Sequence, residues 1–494
     1  MKTNKRSLFI VWLGALVMCA TSGAGSAMAQ VRGIAPYEEE DVALPRADQG
    51  VRKELIPDQK QLEEPAPQDN KYFDHPLFGK PNPPKPGDNI FVKYERFMNE
   101  QIKKIGDMDL YGVTSQLPQG YLGFKWDWGF LKASRRFDQN RHTTNGFPPI
   151  EFKDGNGNKQ LSLDLGLSGR GGGHTIQVSI GLIDELDWYI EIPITYMDVR
   201  LDPVANEIDD EGNRVNPTLG TALGISDTKS FNGQDFVRHV LPKLGRAPVG
   251  LRYKGEWVLG DINTGFSWNY YRSHRMSAAL TPRVFFPTGR IADPNNSLLY
   301  GTGPEIDVSV GGWGVGATQG YDIRIYEFPP WISLIASSEL SVAYYFPHKR
   351  NYPTNFTKPD PAVAALDPSG DMFPDLSNLS GSFTYWPGLS VNWSVLLNAQ
   401  LSIIGIGVGY GIMYSQEPEL KADPAFVRMV KGLELLGQQT THLIQVGATL
   451  NLLALYIPLE IGFTWKKMVD GSNAIIFDDF FQITFKGYLP LFPK

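Results

Sequence analysis

Hydrophobic and polar residues alternate with a period of two along most of the chain after Gly120. The clearest example is the segment 174–196, HTIQVSIGLIDELDWYIEIPITY, in which two alternating runs flank residues 183–186. A period of two predicts β-strands with one apolar face, and the short interval leaves room only for a tight antiparallel turn. The apolar face is aliphatic, uncharged and ends in aromatic residues, so it suits lipid, while the opposite face suits water. A soluble β-sandwich is the alternative interpretation of this hairpin alone.

The same alternation recurs along the chain and predicts about 12 strands. Residues 161–182 are interpreted as one long strand, in which a bulge at 169–173 reverses the apolar phase. A hairpin at those glycines is the competing interpretation. The predicted strands span residues 120–130, 161–182, 188–196, 262–270, 276–286, 306–310, 334–344, 389–397, 404–410, 444–452, 455–465 and 477–489.

The connections between the predicted strands alternate in length. Short ones fall at 183–186, 272–274, 398–400 and 453–454, and long ones at 202–258, 290–303, 347–383 and 415–440. Outer-membrane barrels have this habit, and with both chain ends in the periplasm their strand number must be even. We therefore predict an all-β fold, a transmembrane antiparallel up-and-down β-barrel of about 12 strands, or 14 if residues 249–258 hide another. Short helices are predicted within two long loops, at 234–244 and 424–436.

The chain before the barrel divides into three parts. Residues 1–29 have a basic start, a short apolar stretch and the small-residue motif Ala27-Met28-Ala29, which is typical of a signal peptide. Residues 30–89 are acidic and proline-rich, which predicts a disordered periplasmic segment. Residues 90–119 are predicted to form a short amphipathic helix and a linker, lying on the membrane surface or plugging the pore. Residues 120–494 form the predicted barrel of a Gram-negative outer membrane.

Composition and charge narrow the function. Loss of the signal takes the net charge from −7 to about −10, which gives no support for nucleic-acid binding, and it removes Cys19, the single cysteine. The seven histidines show no paired metal spacing, and residues 154–158 resemble a calcium loop that has Lys159 where glycine is needed. We expect no metal, no cofactor and no enzymatic activity. A barrel-embedded hydrolase is a remaining alternative, although no nucleophile is placed beside a base.

The candidate functional residues are the charged ones on the polar face of the predicted strands, which would line the lumen. They either solvate a water-filled interior or form a charged constriction that selects solutes. Tryptophans on the other face are expected to form interfacial girdles. The candidate lumen-lining residues are Lys125, Asp127, Asp164, Glu191, Arg283, Asp307, Glu339, Glu460 and Lys466.

Several motifs resemble a family of outer-membrane transporters named for the MetA pathway of phenol degradation. They are the turn GLIDEL at 181–186 followed by IEIP at 190–193, LGDI at 259–262, and FPTGR at 286–290 followed by GTG at 301–303. The resemblance covers the chain from about Gly120 onward and implies passage of small, often hydrophobic or aromatic, compounds across the outer membrane. The expected partners are membrane lipid and a small solute. Alternatively, residues 30–89 bind a periplasmic partner and the barrel has a structural role.

Overall fold

A computed structural model describes residues 112–491, apart from 146–149, 154–158, 165, 167, 203, 207–220, 225–234, 329–331, 368–369, 371–372, 402, 433–436 and 453–456. The predicted signal peptide, the acidic segment 30–89 and the predicted amphipathic helix therefore lie outside the described residues. Only the last part of the predicted linker, residues 112–119, falls within them.

Twelve long strands form a closed antiparallel ring, as the sequence predicts. Each strand pairs with its neighbours along the chain, and β1 pairs with β21 from Tyr121↔Pro490 to Arg136↔Ile475, which closes the barrel. The barrel strands are β1 (Tyr121–Phe137), β5 (Ser168–Ile183), β6 (Leu186–Arg200), β10 (Ile262–Arg272), β11 (Met276–Phe286), β12 (Gly314–Phe328), β13 (Ile332–Tyr345), β16 (Gly388–Leu401), β17 (Ile404–Ser415), β19 (Gln439–Asn451), β20 (Leu459–Ser472) and β21 (Ile475–Pro490).

The remaining elements belong to the connections. They are the strands β2 (Thr143–Asn145), β3 (Ile150–Lys153), β4 (Lys159–Asp164), β7 (Val204–Asn206), β8 (Arg252–Lys254), β9 (Val258–Leu259), β14 (His348–Asn351), β15 (Ser382–Trp386) and β18 (Glu419–Lys421), helical turns at Phe236–Val240 and Leu241–Leu244, and the helices α1 (Pro361–Ala364) and α2 (Pro424–Gly432). In both long loops the described residues within the predicted ranges 234–244 and 424–436 are helical, as the sequence predicts.

The two ends of the barrel differ as predicted. Short connections join β5 to β6, β10 to β11, β12 to β13, β16 to β17 and β19 to β20 at one end, which we call the turn end. The long connections after β1, β6, β11, β13 and β17 lie at the other, the loop end, where β20 also turns directly into β21. Outward-facing side chains such as Phe124, Val408 and Phe463 are apolar and about half exposed. Every second residue points instead into the lumen, where polar groups prevail.

Two predicted strands are wrong in detail. Residues 161–182 are not one bulged strand, because β4 pairs with β3 and β7 in a separate three-stranded sheet and β5 begins only at Ser168. Gly166 separates them: its φ of 56° reverses the chain, and a Cβ there would lie 2.1 Å from the carbonyl oxygen of Asp202. The glycines at 169–173 are a regular part of β5, which keeps its register with both neighbours through them.

The second correction concerns the strand predicted at 306–310. These residues form an irregular loop, where the Asp261 carboxylate accepts hydrogen bonds from Ser309 Oγ (2.5 Å) and Val310 N (2.9 Å). The barrel strand is β12, which begins at Gly314. The sequence of β12 contains several glycines, and the polar Gln319 lies on its outward face. The alternation of apolar and polar residues is therefore weaker in β12 than in the other strands.

Loops after β11, β13 and β17 fold together at the loop end into a unit with its own apolar core. We call this unit the cap; it consists of the sheet β14–β15–β18, helix α2 and the loop residue Tyr300. Phe383 and Phe426 are fully buried at its centre, and Tyr300 packs against both rings with centroid distances of 5.9 Å and 5.7 Å. Folded loops of this kind bury enough apolar surface to hold one another in place.

Arg350 is the buried charge of the cap, and Asp307 is its partner. The guanidinium Nη1 lies 2.5 Å from Asp307 Oδ2, and the guanidinium carbon lies 4.3 Å from the centroid of the Tyr385 ring. Arg350 Nη2 donates to the carbonyl of Val310 at 3.1 Å, so the buried cation is fully compensated. Asp307, which the sequence places in the lumen, therefore lies in a loop and holds the cap together.

His348 borders this ion pair and stays neutral. Its Nε2 accepts a hydrogen bond from Arg350 Nε at 3.2 Å. Burial, assisted by the positive charge of Arg350, lowers the pKa of His348 from 6.5 to about 4. Protonation would remove the acceptor and place two cations side by side.

We predict that the cap loses stability as the pH falls from about 6.5 to about 4. In that window an opened cap takes up a proton on His348 and the folded cap does not, so opening is favoured; above pH 6.5 this contribution is constant. Hydrogen exchange of the α2 amides, corrected for the intrinsic rate, measures the opening. H348Q should remove this part of the pH dependence, whereas H239Q, at an exposed histidine outside the cap, should keep it. Equal pH dependence in the two variants would contradict the assignment.

Candidate functional site: the barrel lumen

Residues 112–119, which precede β1, lie inside the barrel; we call them the luminal segment. Their backbone is held by carboxylates of the wall: Asp322 of β12 accepts from Val113 N (3.1 Å) and Thr114 N (2.7 Å), and Asp187 of β6 accepts from Leu117 N (2.8 Å). A carboxylate that accepts backbone N–H groups makes short, strong hydrogen bonds. The segment is therefore anchored at two points on opposite sides of β10 and β11.

Side chains add further anchors between these two. Asn269 Nδ2 donates to the Thr114 carbonyl at 3.0 Å, and Gln116 Nε2 donates to Ser267 Oγ at 2.9 Å. Ser337 Oγ donates to Asp322 at 2.6 Å and fixes the carboxylate that receives the segment. Together these bonds join the luminal segment to four consecutive barrel strands, β6, β10, β11 and β12, since Thr114 also contacts Ser277 of β11. Ser337 of β13 supports the segment only through Asp322.

The luminal segment leaves the lumen at the turn between β5 and β6. Gly120 N donates to the carbonyl of Gly181 at 2.9 Å, and Gln119 N donates to Asp184 of the turn at 3.0 Å. A Cβ on Gly181 would lie 2.1 Å from the carbonyl oxygen of Pro118, so only glycine permits this approach. The GLIDEL turn is thus the site where the chain passes from the lumen into β1.

Within the described part of the chain, two cavities of more than 200 Å³ adjoin each other in the lumen. The larger, about 340 Å³, extends towards the loop end and is bordered there by Phe477 and Met468. The smaller, about 260 Å³, lies beside Gln116 and Asp187 near the turn end. Four residues line both cavities, so the passage from one to the other runs between them. They are Val113, Lys125, Glu191 and Glu339.

The larger cavity has a charged side and an apolar side. On the charged side Lys125 Nζ lies 2.7 Å from Asp127, which also accepts from Thr484 Oγ1 at 2.5 Å. Lys466 Nζ lies 5.4 Å from the centroid of the Phe480 ring. The apolar side is formed by Leu396, Met413, Leu443 and Met468. Such a wall can hold a molecule with an apolar body and a polar group.

Around the smaller cavity the charges are tied into a network. Arg283 Nη2 donates to Ser341 Oγ at 3.3 Å and to Thr318, and Ser341 Oγ donates to Glu339 at 3.3 Å. Glu191 accepts from Asn263 Nδ2 at 3.0 Å. These bonds orient the two carboxylates that border both cavities.

The sequence-predicted residues divide into three groups. Lys125, Asp127, Glu191, Arg283, Glu339 and Lys466 line the two cavities. Glu460 is buried and pairs at 2.8 Å with Lys486, which lines the smaller cavity. Asp307 lies in the cap, and Asp164 lies in β4 of the separate loop sheet rather than in a barrel strand.

Sequence reasoning missed Asp187 and Asp322. Asp187 has the same parity as Glu191 in β6, so extending the alternation by two more residues would have found it. Asp322 was missed together with β12. In the described part of the chain no group of three or more His, Cys, Asp or Glu residues could hold a metal ion. None of the described helices is long and apolar enough to span a bilayer.

Comparison with known proteins gives likenesses of structure only. No family model matches the chain, and no curated protein matches its sequence, so the resemblance to the phenol-degradation transporter family is not confirmed. Among solved structures, an outer membrane channel from Pseudomonas putida F1 is 9% identical with a TM-score of 0.42, covering 76% of this chain and 98% of that one. The β domain of a Bordetella autotransporter is 9% identical with a TM-score of 0.34, covering 74% and 99%.

A third solved structure is the toluene transporter of Ralstonia pickettii, 8% identical with a TM-score of 0.29, covering 75% of this chain and 90% of that one. At such identities and scores no solute is carried over to this chain. The class of protein follows from its own geometry. It is a closed 12-stranded antiparallel β-barrel with a largely apolar outer face, and its polar lumen holds the luminal segment.

We predict that D322A releases the luminal segment. The substitution removes the acceptor of two backbone N–H groups and of the Thr114 hydroxyl, and each hydrogen bond to a charged group contributes about 1.5–3 kcal/mol. A thiol introduced by S115C reports the release, and we expect its reaction with a water-soluble maleimide to be at least about tenfold faster in D322A.

The matched control is D470A, which removes an exposed carboxylate paired with Arg141 at the loop end, far from the luminal segment. It should leave the labelling rate unchanged. Equal rates in D322A and in the parent protein would show that Asp322 does not hold the segment.

Proposed function

We propose that the protein is an outer-membrane channel that passes small solutes through its lumen. The observation that carries the proposal is the combination of a closed ring, an outward face of exposed apolar side chains, and two adjoining polar cavities inside the ring. A ring of this kind satisfies every backbone group between strands, which is the condition for a β-structure to cross lipid. The proposed role is transport rather than catalysis.

The turn end is assigned to the periplasm and the loop end to the exterior, following the habit of single-chain barrels. Both β1 and β21 then reach the periplasm at Tyr121 and Pro490. In this arrangement residues 1–29 act as the export signal, and residues 30–89 form a periplasmic tail. A periplasmic partner for that tail is a further part of the proposal.

The luminal segment and the residues shared by the two cavities form the constriction. Because Val113, Lys125, Glu191 and Glu339 border both cavities, a solute that crosses from one to the other passes these four side chains. Two carboxylates and one ammonium group at a narrow point can select solutes by their charge as well as by their size.

The solute class follows from the larger cavity. Its volume of about 340 Å³ is at the lower end of the range for small-molecule sites, about 300–1,000 Å³. Met413 and Met468 provide an adaptable apolar wall opposite Lys125 and Glu339. We therefore propose small amphipathic solutes, including aromatic ones, with an apolar body and a polar or charged group.

Ion selectivity in planar bilayers tests the constriction. We expect the D322A protein to conduct, and E191Q/E339Q in that background to shift the reversal potential in a salt gradient towards anion selectivity, because Lys125 and Lys466 remain in the lumen. D479N is the matched control, since Asp479 lies on the outward face and accepts from Trp465 Nε1. An unchanged reversal potential would show that Glu191 and Glu339 do not form the constriction. A folded D322A protein that never conducts would refute the proposal of a channel.

Current block tests the solute class. Phenylalanine has an apolar ring and both charges, so it should block the ion current at concentrations at least about tenfold below those of glycine. M413N/M468N makes the apolar wall polar and should remove this difference while leaving block by glycine unchanged. If phenylalanine and glycine block the unmodified lumen equally, the cavity does not select an apolar body.

A further inference from the structure

Exposed cations cluster on the outward face at the loop end of β1, β5, β6 and β8. The register places Lys132 of β1 beside Arg170 of β5, Arg170 beside Asp198 of β6, and Asp198 beside Lys254 of β8. One step towards the loop end, Arg200 of β6 lies beside Arg252 of β8. All five cations are exposed, and they have the parity of the outward-facing residues of their strands.

The cations of this cluster outnumber the carboxylates around them, which are Asp198 beside Arg170 and Arg200, and Asp478 and Asp479 beside Lys132. The Asp198 carboxylate is held by Arg252, with Nε at 2.9 Å and Nη2 at 2.8 Å. Lys132, Arg170, Arg200 and Lys254 form no ion pair with any described residue. The full chain carries a net charge of −7, so this cluster stands out from an acidic protein.

Aromatic side chains form the next row on the same face, towards the turn end. Phe130 of β1 is paired with Gly172 of β5, and Gly172 with Tyr196 of β6. Trp257, between β8 and β9, is about half exposed and lies above Gly172, with its ring 5.5 Å from Tyr196. Consecutive rows on one face of a strand are about 6–7 Å apart, so the cations begin directly above these rings.

This succession fits the boundary of a membrane leaflet. Aromatic rings settle at the headgroup level of the bilayer, and cations just beyond them meet the phosphates of lipid headgroups. Four cations without a close ion pair, on adjoining strands, offer more charge than a single phosphate needs, and arginine binds phosphate oxygens in pairs. The surface therefore suits a headgroup that carries two phosphates.

We propose that this surface binds the phosphorylated glycolipid of the outer leaflet, a lipid A headgroup with two phosphates. Lys132, Arg170, Arg200 and Lys254 contact the phosphates, while Trp257 and Tyr196 pack against the sugar and the upper acyl chains. The inference rests on the proposed outer-membrane location with the loop end outward, and it concerns the outer surface rather than the lumen.

Native mass spectrometry of the detergent-purified full-length mature protein measures the binding of added lipid A. We expect the bisphosphorylated form to bind at least about tenfold more tightly than its dephosphorylated form, and more tightly than phosphatidylglycerol. K132Q/R170Q/K254Q should lose most of the preference for phosphate. K132Q/K254Q, which leaves every arginine in place, provides a milder variant if the triple variant does not fold.

The matched control is K349Q/K358Q/K421Q, which removes three exposed lysines from the loops after β13 and β17, away from β1, β5, β6 and β8. This variant should bind lipid A as the unmodified protein does. Conductance of the D322A protein should be unaffected by either set, which separates this proposal from the channel. Equal binding of phosphorylated and dephosphorylated lipid A, equal binding of phosphatidylglycerol, or unchanged binding by K132Q/R170Q/K254Q would overturn it.

Discussion

The pairing of β1 with β21 is the interaction on which the rest of the structure depends. Each of the other strand pairs could also exist in an open sheet, but an open sheet leaves two edges of unpaired N–H and C=O groups. In lipid such groups have no water to bind, and each would cost several kcal/mol. The pairing from Tyr121↔Pro490 to Arg136↔Ile475, with an irregularity in register around Ala133, removes both edges at once. The outward face is then free to be largely apolar.

Closure also decides how the interior is filled. A ring of 12 strands is wider than its own inward side chains can pack, so the space must be occupied by water, solute or chain. Here the luminal segment takes part of it, and its polar backbone is satisfied by Asp187 and Asp322. The remaining charges are oriented by the network of Arg283, Ser341 and Glu339. What is left is a lumen reduced to two small cavities with a shared boundary.

The sequence predicted those parts of the structure that follow from period-two alternation. The hairpin of β5 and β6 is correct to the residue at its turn, and six of the nine lumen candidates line a cavity because parity alone decides which way a strand residue points. The prediction from alternation is wrong where glycine or polar residues interrupt the pattern, as in β12. It is also wrong where a loop forms strands of its own, as in β4.

Other features could not be predicted from the sequence, since they depend on partners distant along the chain. Residues 112–119 have no periodic pattern, and nothing local reveals that Thr114 meets Asp322 more than 200 residues later. Asp307 looks like an inward strand residue until Arg350 is seen beside it, because only the folded cap brings the two together. Contacts of this kind are set by packing rather than by local propensity.

The position of the luminal segment has a consequence for biogenesis. Residues 112–119 continue directly into β1, and β1 joins a strand whose partner residues lie more than 340 positions away, as in the bond from Ser134 to Asp478. A nascent chain must therefore keep one edge of β1 unpaired until β21 has been synthesised, while the other edge can already pair with β5. The luminal segment is bonded to Asp187 of β6 and Asp322 of β12, and both strands precede β21 along the chain, so its wall contacts can form before the ring closes.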